Sequence, residues 1–482
     1  MTAERTPRLG AKLRALRRRE GLTQAQMAQK LDISPSYLNL IENERRPLTA
    51  QLLIKLAQAF GVDVATFAVD EEARLVADLM EVFGDPIFDE EGLTNADVRE
   101  LVAASPAAGR AVVRLYRALR GARDHAQVLA TRLADGDEVV GVARPILPTE
   151  EVTDLIERER NHFPTLEAAA EALWRDATLD PDDLYRGLCL YLERQHGVRV
   201  EVLRGRSSGE SLRRYDPDKA LITLSETLPL RSRAFQLAHQ IAFLVARDVL
   251  DGVSSDRGLT TDESRALCRV ALANYFAAAV LMPYEPFLKA AQTERYDLEL
   301  LGHRFGASYE QVCHRLTTLR RPGREGVPFH YIRVDVAGNI SKRFSGSGIR
   351  FARFSGACPR WNVFTAFLTP GMIRAQVSRM PDGDTYFCMA RTVRSTVGGH
   401  HQPHALYAVG LGCQVHYARE LVYADGMDVE SEEALVPVGV TCRLCERVDC
   451  AQRAFPALQT TLEVDENLRG LSFFAPATGR AR

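Results

Sequence analysis

Apolar positions change their spacing several times along this chain, and each change predicts a different element. From Leu22 to Pro47 they fall three and four apart in two short runs. Met27, Ala28 and Leu31 share one face behind Thr23, which stands where a helix N-cap belongs. Asp32-Ile33-Ser34 breaks the run, and Ser34-Pro35 supplies a cap followed by proline at the first helical position. In the second run Leu38 and Ile41 face inward, while Ser36, Tyr37, Asn39 and Asn43 face outward. Two short helices with a tight corner are predicted. Beyond an acidic stretch, helices are predicted over Glu71–Phe83, from about Thr94, and from Gly109 to Leu133. In the last, Val112, Leu115, Leu119, Ala126, Leu129 and Leu133 form an apolar stripe suited to packing within its domain or to a dimer seam.

From Thr149 to Arg321 the spacing is helical again, over Glu150–Asn161, Leu166–Arg175, Pro181–His196, Leu230–Leu250, Thr261–Leu281, Tyr284–Thr293, Asp297–Phe305 and Ser308–Leu319. Val198–Leu203 and Lys219–Leu224 read as a strand pair. After Pro328 the period becomes two, predicting strands at His330–Val336, Ile340–Phe344, Val363–Leu368, Met372–Ser378, Asp384–Val393 and His404–Gly412. The fold class expected is multi-domain α+β: an all-α helix-turn-helix head, a helical linker bundle, a mainly α segment, and an antiparallel-sheet sensory domain with a small cysteine-rich metal knuckle. Boundaries are placed at 1–68, 69–147, 148–322, 323–440 and 441–482. The sheet domain resembles sensory domains of the GAF type in outline.

At 482 residues the chain is too long for one core. Its net charge of −2 argues against indiscriminate coating of nucleic acid. Charge is nevertheless uneven: residues 1–64 hold 11 Lys and Arg against 6 Asp and Glu, leaving 50 against 57 for the rest. A basic head beside two short helices is the electrostatic footprint of DNA binding. Small hydroxyl and amide groups on the outer face suit base edges in a major groove, and Arg45 and Arg46 are placed for phosphates. Met1-Thr-Ala-Glu leads straight into a charged helix, and the apolar run Val270–Met282 is interrupted by Asn274. No secretory leader, no membrane span and a cytoplasmic location are expected.

The stretch from Arg8 to Phe67 resembles the Cro/XRE class of repressor domains. That resemblance implies double-stranded operator DNA as partner, Gln24 on a phosphate, and Ser34, Ser36, Tyr37 and Asn39 near bases. Paired half-sites in this class imply a homodimer or higher homo-oligomer. The segments Phe235-Gln-Leu-Ala-His-Gln-Ile-Ala-Phe and Ala273-Asn-Tyr-Phe-Ala-Ala-Ala-Val-Leu-Met-Pro resemble the ImmA/IrrE metallopeptidase-like family. Active members carry His-Glu-x-x-His on the first of these helices. Here His239 is kept, but Gln240 stands for the glutamate and Phe243 for the second histidine. An amide is no general base and one imidazole makes no three-ligand zinc site, so catalytic residues are expected to be none. A zinc metallopeptidase stands as the alternative.

Two further clusters carry chemistry. Lys342, Arg343, Arg350 and Arg353 alternate with aromatics and glycines, a pattern suited to a phosphate-bearing ligand. Nine cysteines end in Cys442-Arg-Leu-Cys445-Glu-Arg-Val-Asp-Cys450, a spacing that lets three thiolates curl round one soft metal. Cys413 is taken as the fourth ligand, with Cys358 and His416 as alternatives. Cys189, Cys268, Cys313 and Cys388 read as core residues. Spacing leaves zinc and iron–sulfur open.

Together, the helix-turn-helix, the degenerate IrrE-like segment and the closing cysteine motif resemble the short-chain fatty-acyl-CoA regulators of bacteria over nearly the full chain. The resemblance implies a DNA-binding transcription regulator with a short-chain acyl-CoA effector, controlling propionate or acetate genes (methylcitrate, propionyl-CoA carboxylase or glyoxylate shunt). It also implies a [4Fe-4S] cluster, with zinc as the alternative. A rival reading keeps the regulator but makes the cluster a redox or iron sensor without acyl-CoA response.

Overall fold

A computed structural model describes residues 22–42, 70–85, 93–135, 148–203, 211–352, 357–395, 404–442 and 450–455, with scattered positions among 13–60 and at 87, 88, 445 and 447. Asn43, Arg45 and Arg353 lie outside the described residues. The chain divides into two compact units, one of residues 1–82 with 93–113 and one of 83–92 with 114–482.

In the first unit, α1 (Gln24–Lys30) opens on a capping box in which Thr23 and Gln26 exchange hydrogen bonds. The second helix, α2 (Pro35–Glu42), is capped by the Ser34 hydroxyl, which accepts from the Tyr37 N–H at 3.1 Å. Met27, Ala28, Leu31, Leu38 and Ile41 close a small core with Leu13, Leu16, Leu52 and Leu56. The helices α3 (Asp70–Phe83), α4 (Asn95–Ala104) and α5 (Pro106–Asp135) follow. On α5 the expected stripe is displaced by one position. Val113 and Tyr116 are buried, whereas Leu115 is 72% exposed and Val112 and Leu119 are half-buried. The side chains of Ala126, Leu129 and Leu133 lie outside the described residues.

The second unit continues with α6 (Pro148–Arg158), α7 (Pro164–Asp176) and α8 (Leu184–His196). The expected strand pair is a three-stranded sheet of β1 (Arg199–Leu203), β2 (Arg213–Asp216) and β3 (Leu221–Ser225). Central β3 runs parallel to β1 and antiparallel to β2. One predicted helix breaks at Ala246 into α9 (Leu230–Val245) and α10 (Arg247–Ser254). Then come α11 (Asp262–Leu281), α12 (Tyr284–Thr293), α13 (Leu298–Arg304) and α14 (Tyr309–Leu316). Arg315, wholly buried, is fixed by two bonds to Glu167 at 2.6 and 3.0 Å, and Tyr275 donates to the same carboxylate at 2.6 Å. Among the described residues no single helix is long and apolar enough to cross a membrane.

The last strands are β4 (His330–Asp335), β5 (Ile340–Ser345), β6 (Arg374–Arg379), β7 (Thr385–Ser395), β8 (Ala405–Gln414) and β9 (Leu435–Pro437), in the order β5-β4-β8-β7-β6-β9. All pairs are antiparallel except β6 with β9. The run Val363–Leu368 is not a strand. It is the short helix α15 (Asn362–Thr365) and a 3₁₀ turn, because the Asn362 amide donates to the carbonyls of Arg374 and Cys388 and pins the run across the sheet. A short continuous apolar run has no periodicity to separate the two cases.

Alternation along the strands sends residues to two cores. Phe387, Met389, Val409, Leu411 and Cys413 join the helical core that begins at Val152. Tyr386, Ala390, Ala408, Ile332 and Val334 join a second core with Trp361 and Val363. The first of these cores runs across residue 322, joining helices and sheet.

Candidate functional site

On the head, Ser34, Ser36, Asn39 and Arg46 are exposed, and Tyr37 is half-buried against the small core. The polar face expected of α2 is thus presented. Behind it lies Glu42, a residue whose role the sequence pattern does not reveal. Its buried carboxylate accepts from Arg17 Nε at 2.6 Å, Arg17 Nη2 at 3.0 Å and Gln24 Nε2 at 2.8 Å. Arg14 donates to the Glu42 carbonyl at 2.7 Å. Burial pushes this carboxyl up, but the bonds from Arg17 and Gln24 and the charges of Arg17 and Arg14 prevail and hold it below its ordinary value. Gln24, expected on a phosphate, here ties the first helix to the end of the second.

His239 on α9 is buried, with Arg213 Nη1 donating to its Nδ1 at 2.7 Å. Burial first, then the Arg213 charge, pushes the imidazole down to about 4, so it is neutral. Arg213, on the unpredicted strand β2, also donates to the Gln236 carbonyl at 2.9 Å. Among the described residues no three His, Cys, Asp or Glu side chains are grouped to hold a metal.

On the face of the sheet away from the helical core is a small cavity of about 20 Å³, bounded among others by His330, Phe351, Trp361, Asn362, Cys388 and Gly410. Two glycines shape the strands beneath it. His330, Gly412 and Cys388 are cross-strand partners on β4, β8 and β7, and Ile332, Gly410 and Ala390 form the next row. Because Gly412 has no side chain, the His330 ring crosses it: a Cβ there would stand 2.5 Å from His330 Nε2. That nitrogen meets Cys388 Sγ at 3.6 Å, and His330 Nδ1 meets Ser347 Oγ at 2.7 Å. Burial holds His330 neutral, down at about 3, and pushes the Cys388 thiol up to about 12. Cys388 is therefore a cavity residue as well as a core one.

The basic residues expected to take a ligand divide. Arg343 is tied to Glu150 at 2.5 Å with its side chain 8% exposed, and Lys342 pairs with Glu310 at 3.2 Å. Both lie on β5 and serve to join the sheet to the helices. Arg350, beside the cavity residue Phe351, is 41% exposed and stands 3.9 Å from Asp382. Of the described members of the expected set it has the loosest ion pair.

Among the expected thiols, Cys413 is wholly buried on β8, opposite Phe387, in the helical core, near Cys388 and Glu420. His416 is exposed against Tyr417. Cys358 is the thiol that Cys442 and Cys445 influence: burial raises it, and those neighbours push the same way. Its N–H donates to the Val440 carbonyl at 3.1 Å. Arg453 braces the motif by donating to the carbonyls of Cys442 and Cys445, each at 2.7 Å. Four thiols are a donor set that suits a soft metal, although those described are not drawn together as ligands.

Comparison with known proteins places these parts. Residues 13–67 match a helix-turn-helix family, 193–317 the IrrE N-terminal-like domain, and 318–474 the C-terminal domain of the short-chain fatty acyl coenzyme A regulators. The chain is 41% identical over 462 residues to the HTH-type transcriptional regulator RamB of Mycobacterium tuberculosis, covering 95% of this chain and 96% of that one. It is 40% identical over 458 residues to PrpR of the same organism, covering 95% and 93%. It is 41% identical over 473 residues to the propionyl-CoA carboxylase regulator of Cereibacter sphaeroides, covering 96% and 97%. A solved structure of a Mycobacterium tuberculosis transcriptional regulator is 39% identical with a TM-score of 0.65, over 69% of this chain and all of that one. Head, body and sheet are those of a helix-turn-helix transcriptional regulator. The chain belongs to the short-chain fatty acyl coenzyme A regulators.

Proposed function

We propose that this protein holds operator DNA with the face of α2 and releases or tightens it when a short-chain acyl-CoA enters the cavity between β4, β8, β7 and α15. The observation that carries the reading is the small cavity lined by Gly410 and by aromatic and aliphatic side chains within the region matched by the family. At about 20 Å³ it admits an acyl end only if its walls part on binding, and Arg350 is at hand for phosphate. Ligand acts only if it binds two arrangements of the protein unequally. Genes of propionate or acetate use are the regulon proposed, as the name of the Cereibacter relative supports. Exposed Leu115 on α5 supports a homodimer seam. The body makes and breaks no bonds, a reading that rests on Gln240 and Phe243 standing where a base and a second ligand would be and on Arg213 occupying His239 Nδ1.

The test is promoter retention at fixed salt with and without propionyl-CoA or acetyl-CoA. A shift in the binding curve is expected, and an unchanged curve at saturating ligand removes the effector. A soft-metal centre at Cys358, Cys442, Cys445 and Cys450 is a second reading, supported by the electrostatic proximity of the first three. Anaerobic purification followed by metal analysis tests it. Iron with sulfide supports a cluster, zinc alone a structural knuckle, and neither metal overturns both.

A further inference from the structure

Arg315 and Arg343, both drawn well out of water, are each met by a carboxylate, from Glu167 and Glu150. Arg213 on β2 is not. Its half-buried guanidinium spends Nη1 on two neutral acceptors of α9, the Gln236 carbonyl at 2.9 Å and His239 Nδ1 at 2.7 Å. Burial alone pushes it down to about 10, and no carboxylate among the described residues holds it up. A cation taken from water without a counter-charge costs free energy. Its Nε and Nη2 form the straight edge of the guanidinium, the edge that takes two oxygens at once. Neither nitrogen has a partner among the described residues, and both stay in reach of solvent.

The same face of α9 has lost its own negative charge. Gln240, next to His239, stands where the peptidase pattern has a glutamate, and Phe243 where it has a second histidine. Gln240 is 8% exposed, and its amide also has no hydrogen bond among the described residues while staying in reach of solvent. A forked cation, a neutral imidazole and an unengaged amide are thus gathered with no anion to balance them. We infer that the Nε–Nη2 edge of Arg213, at the degenerate peptidase face of α9, is a binding site for a small oxyanion that presents two oxygens, a carboxylate or a phosphate. The inference goes beyond the acyl-CoA reading and does not depend on it. The oxyanion is either a free acid or a phosphate group of a larger ligand, and the missing counter-charge is the same for both.

The experiment titrates the full chain at neutral pH with sodium propionate and, separately, with inorganic phosphate, ionic strength being held constant with sodium chloride. Melting temperature and the NMR spectrum of nitrogen-labelled histidine are followed. A saturable rise in melting temperature with at least one oxyanion is expected, together with movement of the His239 ring nitrogens, identified as the resonances missing from His239→Gln. Arg213→Gln is expected to lose the saturable response. Arg213→Lys keeps the charge without the fork and is expected to weaken it roughly tenfold. A response to propionate supports the site and assigns a free carboxylate. A response to phosphate that propionyl-CoA competes away and propionyl-pantetheine does not supports it and assigns a ligand phosphate. No saturable response to either oxyanion in the native protein overturns the inference, as does a full response in a folded Arg213→Gln or a response that leaves the His239 nitrogens unmoved. A promoter-binding curve indifferent to propionyl-CoA would remove the effector and leave this site standing.

Discussion

The imidazole of His330 lies across Gly412 on the neighbouring strand and reaches Cys388 on the strand beyond. An alanine at 412 would place its Cβ 2.5 Å from the ring and 2.7 Å from the Phe387 carbonyl. Neither neighbour is a flexible side-chain end. Gly412→Ala is expected to cost about 1–3 kcal/mol of stability by overpacking. A urea titration checks this, and an unchanged midpoint would show that the ring has room to swing away.

Arg350 and Arg343 should separate in their effects. Arg350→Ala is expected to weaken propionyl-CoA binding severalfold with little change in stability, since its side chain is open and its ion pair loose. Arg343→Ala leaves Glu150, whose side chain is 17% exposed, without its partner and is expected to cost about 1–3 kcal/mol while sparing ligand affinity. Calorimetry and chemical denaturation on the same two variants distinguish them. The reverse pattern would return the ligand to β5.

The head carries its own acid sensitivity. The Glu42 carboxyl is held below its ordinary 4.5 in the folded state, so its stabilisation is present above pH 4.5 and lost as the pH falls below that. Glu42→Gln is expected to destabilise the head by about 1–3 kcal/mol and to flatten this dependence. Amide exchange of the head at several pH values reads the effect, and an identical profile in native and variant protein would exclude it.

The larger unit should weaken earlier. Burial keeps His330 at about 3 and, with smaller charge effects, His239 and His314 at about 4, against an ordinary 6.5. Unfolding lets these rings take up protons, so stability falls as the pH drops from 6.5 toward those values. Melting temperatures between about pH 7 and about pH 5, where most carboxylates stay ionised, are expected to decline. His314→Gln should lessen the slope, provided it folds.

On DNA, side chains of the outer face and the cation should act differently. Asn39→Ala is expected to cost about 1–3 kcal/mol on the operator and little on unrelated duplex. Arg46→Ala should weaken both alike and reduce the salt dependence by about one unit of slope. Mobility-shift titrations at two salt concentrations test the pair. Equal losses from both variants on both duplexes would remove base reading from α2.

Local patterns made much of this molecule legible. Thr23 and Ser34 cap their helices, and Leu38 and Ile41 are buried as their spacing required. Most helices of the body begin and end within a few residues of their expected limits, because caps and apolar spacing act within one or two turns. On α5 the neighbouring track of Val113 and Tyr116 is the buried one, since a helix rich in alanine and leucine offers two adjacent apolar tracks and only the packing partner chooses one.

From residue order alone came the helix-turn-helix head, the alternation that builds two faces on the last sheet, the loss of a peptidase ligand set, and the family. Tertiary structure decided which groups meet. His330 and Cys388 are 58 residues apart and touch only because strand register aligns them over a glycine between. The same is true of Arg17 with Glu42 and of Cys358 with the closing cysteines: each meeting depends on how distant segments pair and which apolar face is covered. No short-range spacing encodes those choices, because the free energy that makes them is gained only when the whole core closes.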